Sequence, residues 1–405
     1  MARIISVAAL PILSRLYLPA DFGLLASFTA ALTLILPLAT LRYAQVIPIV
    51  RSEGGARAMA NVAYASLGGT SVVLLISLLL AVQWEAELGG LRLSYVTAGF
   101  LLLAYLLSGA YEILSSQATR DRRYRSLSAT SMKQSAVSAV AKTLFGMASL
   151  RPEGLLLGHV VGLGAGLLSL NVGAKSQRSV GGAGAKRAMT LARSFWQFPA
   201  LRLPSQFLLA GASQLPVLYV AAAYDLETAG FFGMAMVLMT TTISMATISL
   251  GQAFYGEIAA VYRKTPERVA EFTFAIQVRL LIAGAAAAAF IYFAAPYVVV
   301  TLLGSKWEVT GIIVSYLSPY LLFQFASTPV VRVMDLLRVQ WLFLLINGTR
   351  LAAVGGVALY THATEGTVLE FVRIYSIIMS LFYIGVTGVV FVALRTPGIL
   401  TRNRS

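Results

Sequence analysis

Residues 280–300 read LLIAGAAAAAFIYFAAPYVVV and hold no charged side chain. A helix of about 20 apolar residues is about 30 Å long, the hydrocarbon thickness of a bilayer. This stretch therefore sets the fold class, because a spanning helix satisfies its backbone internally where no water is at hand. Similar runs recur on both sides of it. Candidate spans read at roughly 2–18, 23–42, 60–82, 92–113, 129–150, 153–172, 200–222, 229–250, 274–300, 308–330, 339–361 and 367–394. The first is short, leaving room for a further N-terminal turn, and it carries no small-residue cleavage site of the kind that ends a signal peptide. The fifth is polar for a span.

Composition agrees. Of the 405 residues, 58% are hydrophobic and 12% charged, against about 45–50% and about 25% in soluble domains. One soluble core cannot hide that much apolar surface. Cysteine is absent and the only histidines are His159 and His362, so thiol chemistry and histidine-rich metal sites are excluded. No HExxH, GxSxG or GxxxxGK[ST] string occurs, and neither a cofactor nor a catalytic residue is expected.

The net charge of +15 is organised as membrane topology. With the N-terminus inside, the inner loops hold Arg42, Arg51, Arg57, Arg120, Arg122, Arg123, Arg125, Lys175, Arg178, Lys186, Arg187, Arg193, Arg263, Lys264, Arg268, Arg332, Arg338 and the C-terminal arginines. The outer side holds only Arg92, Arg151 and Lys306. That asymmetry follows the positive-inside rule with both termini cytoplasmic, and it argues against a nucleic-acid surface. The longest polar stretch is also inside: Gly173–Gly184 is rich in Gly and Ser, and Ala185–Phe198 sets Lys186, Arg187 and Arg193 beside Leu191, Phe195, Trp196 and Phe198. The first part reads as a linker, the second as an interfacial helix on an anionic leaflet.

Sliding the chain by 207 positions aligns Tyr17 with Tyr224, Gly23 with Gly230, Thr33 with Thr240, Ala39 with Ala246, Thr40 with Thr247 and Gln45 with Gln252. The matches fall at equivalent landmarks around one apolar helix, although apolar helices also resemble one another by composition alone. The expected architecture is an all-α polytopic membrane protein with about 12 transmembrane helices in two pseudo-symmetric six-helix lobes. The lobes are 1–172 and 200–405, joined by 173–199, a plan in which transporters rock one bundle against the other.

The segment Leu13-Ser-Arg-Leu-Tyr-Leu-Pro-Ala-Asp-Phe-Gly23 resembles the motif that ends the first helix of Wzx-type polysaccharide flippases, within the multidrug/oligosaccharidyl-lipid/polysaccharide (MOP) exporter superfamily. Leu191-Ala-Arg193, Phe198-Pro199, Leu203-Pro-Ser-Gln206, Gln214-Leu-Pro216 and Ala229-Gly-Phe-Phe232 are similar to a second family run, and Gly304-Ser-Lys-Trp307 with Arg332-Val-Met-Asp335 to a third. The resemblance implies a flippase that carries undecaprenyl-(pyro)phosphate-linked oligosaccharide from the cytoplasmic to the outer face of the bacterial inner membrane, for O-antigen, capsule or exopolysaccharide assembly. It implies lipid-linked oligosaccharide and membrane lipids as partners, with a polysaccharide polymerase and glycosyltransferases as further ones.

Such a substrate needs cations in a polar interior, and arginine offers a planar fork for two phosphate oxygens. Arg15, Lys133, Lys142, Arg202, Arg279, Arg350 and Arg373 lie inside the spans, where a charge at the bilayer centre costs about 2.5–3.5 kcal/mol on insertion scales. Lys133, Arg202 and Arg279 lie near enough to the inner end to snorkel, and Arg373 is three residues from Glu370, an intrahelical ion-pair spacing. Lys142 and Arg350 lie deepest, and Arg15 sits towards the outer end. At about 100° per residue, Arg202, Gln206 and Ser213 share a stripe, as do Ser131, Ser135, Ser138 and Lys142, and Thr33 with Thr40. Substrate-binding residues are accordingly expected at Arg15, Lys142, Arg202, Gln206 and Arg350, against the simpler reading in which small hydroxyl residues pack helices. Two alternatives stay open: a drug exporter of the same superfamily, which calls for acidic residues in the spans, and a membrane polymerase or glycosyltransferase, which calls for a large outer loop.

Overall fold

The computed structural model describes residues 2–170, 185–265, 268–331 and 340–395. The linker Gly173–Gly184 and the Arg332–Asp335 motif lie outside them, as do the side chains of Lys186, Arg187, Thr247 and Gln252. Contacts divide the chain into two compact units, Met1–Gly230 and Phe231–Ser405.

The first unit contains α1 (Ala2–Ala8), α2 (Leu10–Leu16), α3 (Pro19–Ile35), α4 (Glu53–Gln83), α5 (Tyr95–Arg120), α6 (Tyr124–Met147), α7 (Glu153–Gly164), α8 (Ala185–Ser194) and α9 (Leu203–Ala223). It ends in the first turn of α10 (Leu226–Lys264). Thus α9, expected in the second lobe, is grouped with the first unit, where it packs against α3. The second unit continues with α11 (Val269–Leu303), α12 (Glu308–Val331), α13 (Gln340–Ala363) and α14 (Val368–Arg395). Among the described residues the only strands form a hairpin, Glu87–Leu88 with Leu91–Arg92, turned by Gly89 and Gly90, both with positive φ. Two such glycines are what a tight hairpin turn requires.

Ten of the described helical segments are long and apolar enough to cross a membrane. Two of the twelve expected segments are helical without meeting that measure. The first is broken at Ala9 into two short helices; Pro11 has no N–H to continue the ladder back to Val7, so the break has a local cause. The fifth, α6, is rich in Ser, Thr and Lys. On α11 the rings of Phe290, Phe293 and Tyr297 are at least 70% exposed, a surface that suits hydrocarbon and not water.

The core of the first unit is built from α3, α4 and α5, with Phe28, Met59, Ala63, Leu101, Tyr105 and Ile113 buried together. Leu191 and Phe195, on and just beyond α8, pack against it while Met189 and Trp196 stay exposed. In the second unit α12 packs between α11 and α14. Gly311 allows that approach, since a Cβ there would lie 2.7 Å from Pro296 Cα.

The repeat has a physical counterpart. Helices α3 and α10 start at Pro19 and Leu226, equivalent positions at the 207-residue offset. Their caps use equivalent positions with the carboxylate exchanged: Leu18 N donates to Asp21 Oδ2 (2.8 Å), and Thr228 N donates to Asp225 Oδ1 (2.6 Å). Either arrangement satisfies an orphan amide at a helix start. Gly23 and Gly230 then meet reciprocally. A Cβ on Gly23 would lie 1.7 Å from the Leu226 carbonyl oxygen, and one on Gly230 would lie 1.8 Å from that of Pro19. Residue i touching j′ while j touches i′ is the signature of a two-fold relation.

Candidate functional site

A cavity of about 580 Å³, with polar side chains set in a largely apolar wall, opens within the first unit, inside the range of ligand pockets. Its wall is made where α3 stops. Pro37 interrupts the α-ladder, the chain tightens into a 3-10 turn at Leu36–Leu38, and Leu41 and Arg42 take left-handed φ values of 46° and 63° before a second 3-10 turn at Tyr43–Val46. Left-handed backbone costs about 1–2 kcal/mol per non-glycine residue. Here it turns Arg42 back toward the helices. Opposite, α5 presents Ser108, Tyr111, Glu112 and Ser115 on one face, as three- and four-residue spacing dictates. Gln134 of α6, Leu163 of α7, and Gln206, Leu209, Ala210 and Ser213 of α9 complete the lining with Thr33, Leu36 and Pro37.

The polar centre is an ion pair. Arg42 donates from Nη1 to Glu112 Oε1 (3.1 Å) and from Nη2 to Gln206 Oε1 (2.9 Å), while Thr40 Oγ1 donates to Glu112 Oε2 (3.1 Å). The two charged side chains are 13% and 19% exposed, so solvent screens the pair weakly. Arg42 Nε is buried and has no partner among the described residues. Two helices, α5 and α9, thus converge on one guanidinium.

Of the residues anticipated from the sequence, Gln206 lines this cavity. Arg202, one turn earlier, is exposed and stacks over the Phe198 ring at 5.0 Å. Arg15 is exposed on α2. Lys142 faces α7, where a Cβ on Gly158 would lie 2.6 Å from its Cγ, and its carbonyl accepts the Tyr17 hydroxyl (2.8 Å). Arg350 lies in the second unit among Tyr320, Tyr375 and Tyr383, donates to the Tyr375 oxygen, and keeps a buried Nε without a partner among the described residues. None of Arg15, Lys142 and Arg350 forms an ion pair with a carboxylate among the described residues. The stripe residues Thr33 and Ser213 line the cavity, and Thr40 feeds the ion pair. Arg373 departs from its expected pairing: it donates to and stacks on Tyr316, 4.4 Å from the ring centre, while Glu370 accepts from Thr367 N (2.7 Å) at the start of α14.

Glu112 and Arg42 were missed by the sequence reading. Glu112 had a signal, since a carboxylate inside an apolar span is a functional-site hypothesis by default. Arg42 had none, because its charge fitted the inner-loop count. A second cavity, about 420 Å³, lies by Arg51, Arg57 and Arg120. There Arg120 donates to the carbonyls of Ile47, Val50 and Arg51 and pins the segment that follows the site.

Comparison with known proteins gives a consistent assignment. A family described as "Polysaccharide biosynthesis protein" matches residues 12–311. Among curated proteins, no relative matches the chain. Among solved structures, an inward-facing multidrug resistance MATE family transporter of the MOP superfamily aligns over 100% of this chain and 96% of its own, at 13% identity and a TM-score of 0.63. A MATE P26A mutant aligns over 97% and 96% at 14% identity, with a TM-score of 0.49. At these identities the likeness concerns the fold, and it is the superfamily fold that the Leu13–Gly23 motif led us to expect. With most of its length matched, this multi-pass membrane chain belongs to the polysaccharide biosynthesis protein family and carries the fold of a MOP-superfamily transporter.

Proposed function

We propose that the protein is a flippase that moves a polyprenyl-(pyro)phosphate-linked oligosaccharide from the cytoplasmic to the outer face of a bacterial inner membrane by alternating access, with both termini cytoplasmic. Membership of a polysaccharide biosynthesis family supports the sugar, and the transporter fold supports movement over synthesis. The observation that carries the reading is Arg42 beside a 580 Å³ cavity walled by membrane helices and lined with Ser, Thr, Gln and Tyr. Hydroxyls and amides there replace water around a sugar, and a guanidinium matches phosphate oxygens. Gln206 extends that polar surface beside Arg42. The product serves O-antigen, capsule or exopolysaccharide assembly, beside a polymerase and glycosyltransferases.

The test is reconstitution. Proteoliposomes loaded with a fluorescent polyprenyl-pyrophosphate oligosaccharide should expose the lipid to an external membrane-impermeant quencher faster than protein-free vesicles. Equal rates, together with normal surface polysaccharide in a deletion strain, overturn the reading. Glu112 is an acidic residue within a span, the feature a cationic-drug exporter requires, but Arg42 neutralises it. Drug sensitivity of the deletion strain without loss of surface polysaccharide would favour that second reading.

A further inference from the structure

The Arg42 guanidinium is already ligated by the protein's own anion. One arm of its fork is on Glu112 Oε1 and the other on Gln206 Oε1, and the buried Nε has no partner among the described residues. A carboxylate and a phosphate offer the same grip to a guanidinium: two oxygens at hydrogen-bond spacing and a negative charge. Glu112 is itself held from behind by the Thr40 hydroxyl, and the pair borders the cavity rather than being packed away from it.

We propose that Glu112 is a resident ligand mimic: it occupies Arg42 in place of the anionic group of the transported molecule, which must displace it to bind. The inference rests on the reading of this cavity as a ligand site and assigns Glu112 the role of a specificity-determining residue. Its physical basis is exchange. A buried guanidinium left unpaired is costly, so the free cavity needs a counter-anion. A second anion arriving while Glu112 stays in place meets a pair of zero net charge and gains little. An anion that takes the fork from Glu112 replaces one charge-assisted pair with another, so affinity is set by the difference between them and not by the whole of either. Neutral molecules, unable to make that exchange, leave the pair closed. Glu112 thereby lowers affinity for every anion, permits release, and biases the cavity toward ligands whose charge is spread over two or more oxygens. Tyr111 and Ser115 on its own helix and Gln134 of α6 share the cavity lining with Glu112. None of them carries a positive charge, so Arg42 is the partner whose loss Glu112 must survive.

The experiment measures binding of two probes, inorganic pyrophosphate and undecaprenyl phosphate, to the full chain in lipid nanodiscs. Removing a competing charge at a charge-assisted pair is expected to tighten binding about ten-fold, ~1.4 kcal/mol. Glu112→Gln, which keeps an oxygen for Arg42 but not the charge, should show that gain for both probes. Thr40→Val, which only loosens Glu112, should show a gain of about two- to three-fold, so the result does not hang on one variant folding. Adding Arg42→Gln to Glu112→Gln should abolish the gain. Unchanged pyrophosphate affinity in both Glu112→Gln and Thr40→Val overturns the proposal, as does a gain that persists without Arg42. Pyrophosphate tightening in a protein that moves no lipid-linked sugar upholds the mimic and removes the flippase reading instead.

Discussion

The two units bury an arginine in opposite ways. In the first, Arg42 is brought back from a broken helix end to a single carboxylate beside an open cavity. In the second, Arg350 sits on a continuous helix and is enclosed by aromatic rings: Tyr320 and Tyr375, both buried, lie 5.7 Å apart, and Tyr383 lies 5.9 Å from Tyr320. Gln324 and Ser327 donate to Tyr383, and Ser327 also pairs with Thr387. The helical scaffold repeats, but its polar contents do not. An ion pair that borders a cavity can exchange partners, whereas a cation set among phenol hydroxyls is held by several neutral groups that no single ligand replaces. The contrast is one of setting: Arg42 borders a cavity, and Arg350 is surrounded by phenols.

The largest effect that would break this contrast is at Glu112. Glu112→Ala leaves Arg42 charged and without its carboxylate, and breaking a buried pair from one side costs about 3–5 kcal/mol. Thermal unfolding in detergent should show it, and Arg42→Leu with Glu112→Leu should recover most of the loss, because apolar replacement of a whole buried pair is commonly neutral. If the single variant unfolds like the parent, the pair is solvated and the first unit has no buried charge to speak of.

Next in size is the shared scaffold. Gly230→Ala puts a methyl where the Pro19 carbonyl oxygen already is, and two helix starts must part to admit it. Overpacking of that kind costs about 1–3 kcal/mol. Gly23→Ala should cost about the same, because the contact is reciprocal. Unequal losses would remove the two-fold relation between the two helix starts.

Tyr375→Phe sharpens the other side. It deletes the oxygen that Arg350 donates to, a loss of about 1.5–3 kcal/mol for a hydrogen bond to a charged group. Stability should fall while affinity for pyrophosphate stays at the parent value. Weakened binding at full stability would make Arg350 a ligand residue too.

The spans, the repeat and the family were legible because each is written locally: hydropathy over about 20 residues, landmarks at one offset, and short motifs. The centre of the first unit was not. Arg42 and Glu112 are 70 positions apart, and only the turn after Pro37, with Leu41 and Arg42 left-handed, makes them neighbours. Periodicity did place Thr33, Gln206 and Ser213 on inward faces, because those faces belong to regular helices. It failed for Arg202, which shares their stripe but stands just ahead of the helix start and lies exposed over the Phe198 ring.

Arg202 is therefore the subtlest test of where the cavity ends. Its guanidinium lies over Phe198 on an exposed surface, and such a contact is worth about 0.5–1 kcal/mol. Arg202→Gln should shift the unfolding midpoint by little and leave pyrophosphate and undecaprenyl phosphate binding unchanged, while the neighbouring Gln206→Leu, which strips Arg42 of its second acceptor, should alter both. Four residues apart, they differ in partner: Arg202 lies over Phe198 at the helix start, and Gln206 accepts from Arg42. A binding defect in Arg202→Gln as large as that of Gln206→Leu would mean that the anionic group is met before it reaches Arg42, and that the first unit carries two cations in series where the second carries one.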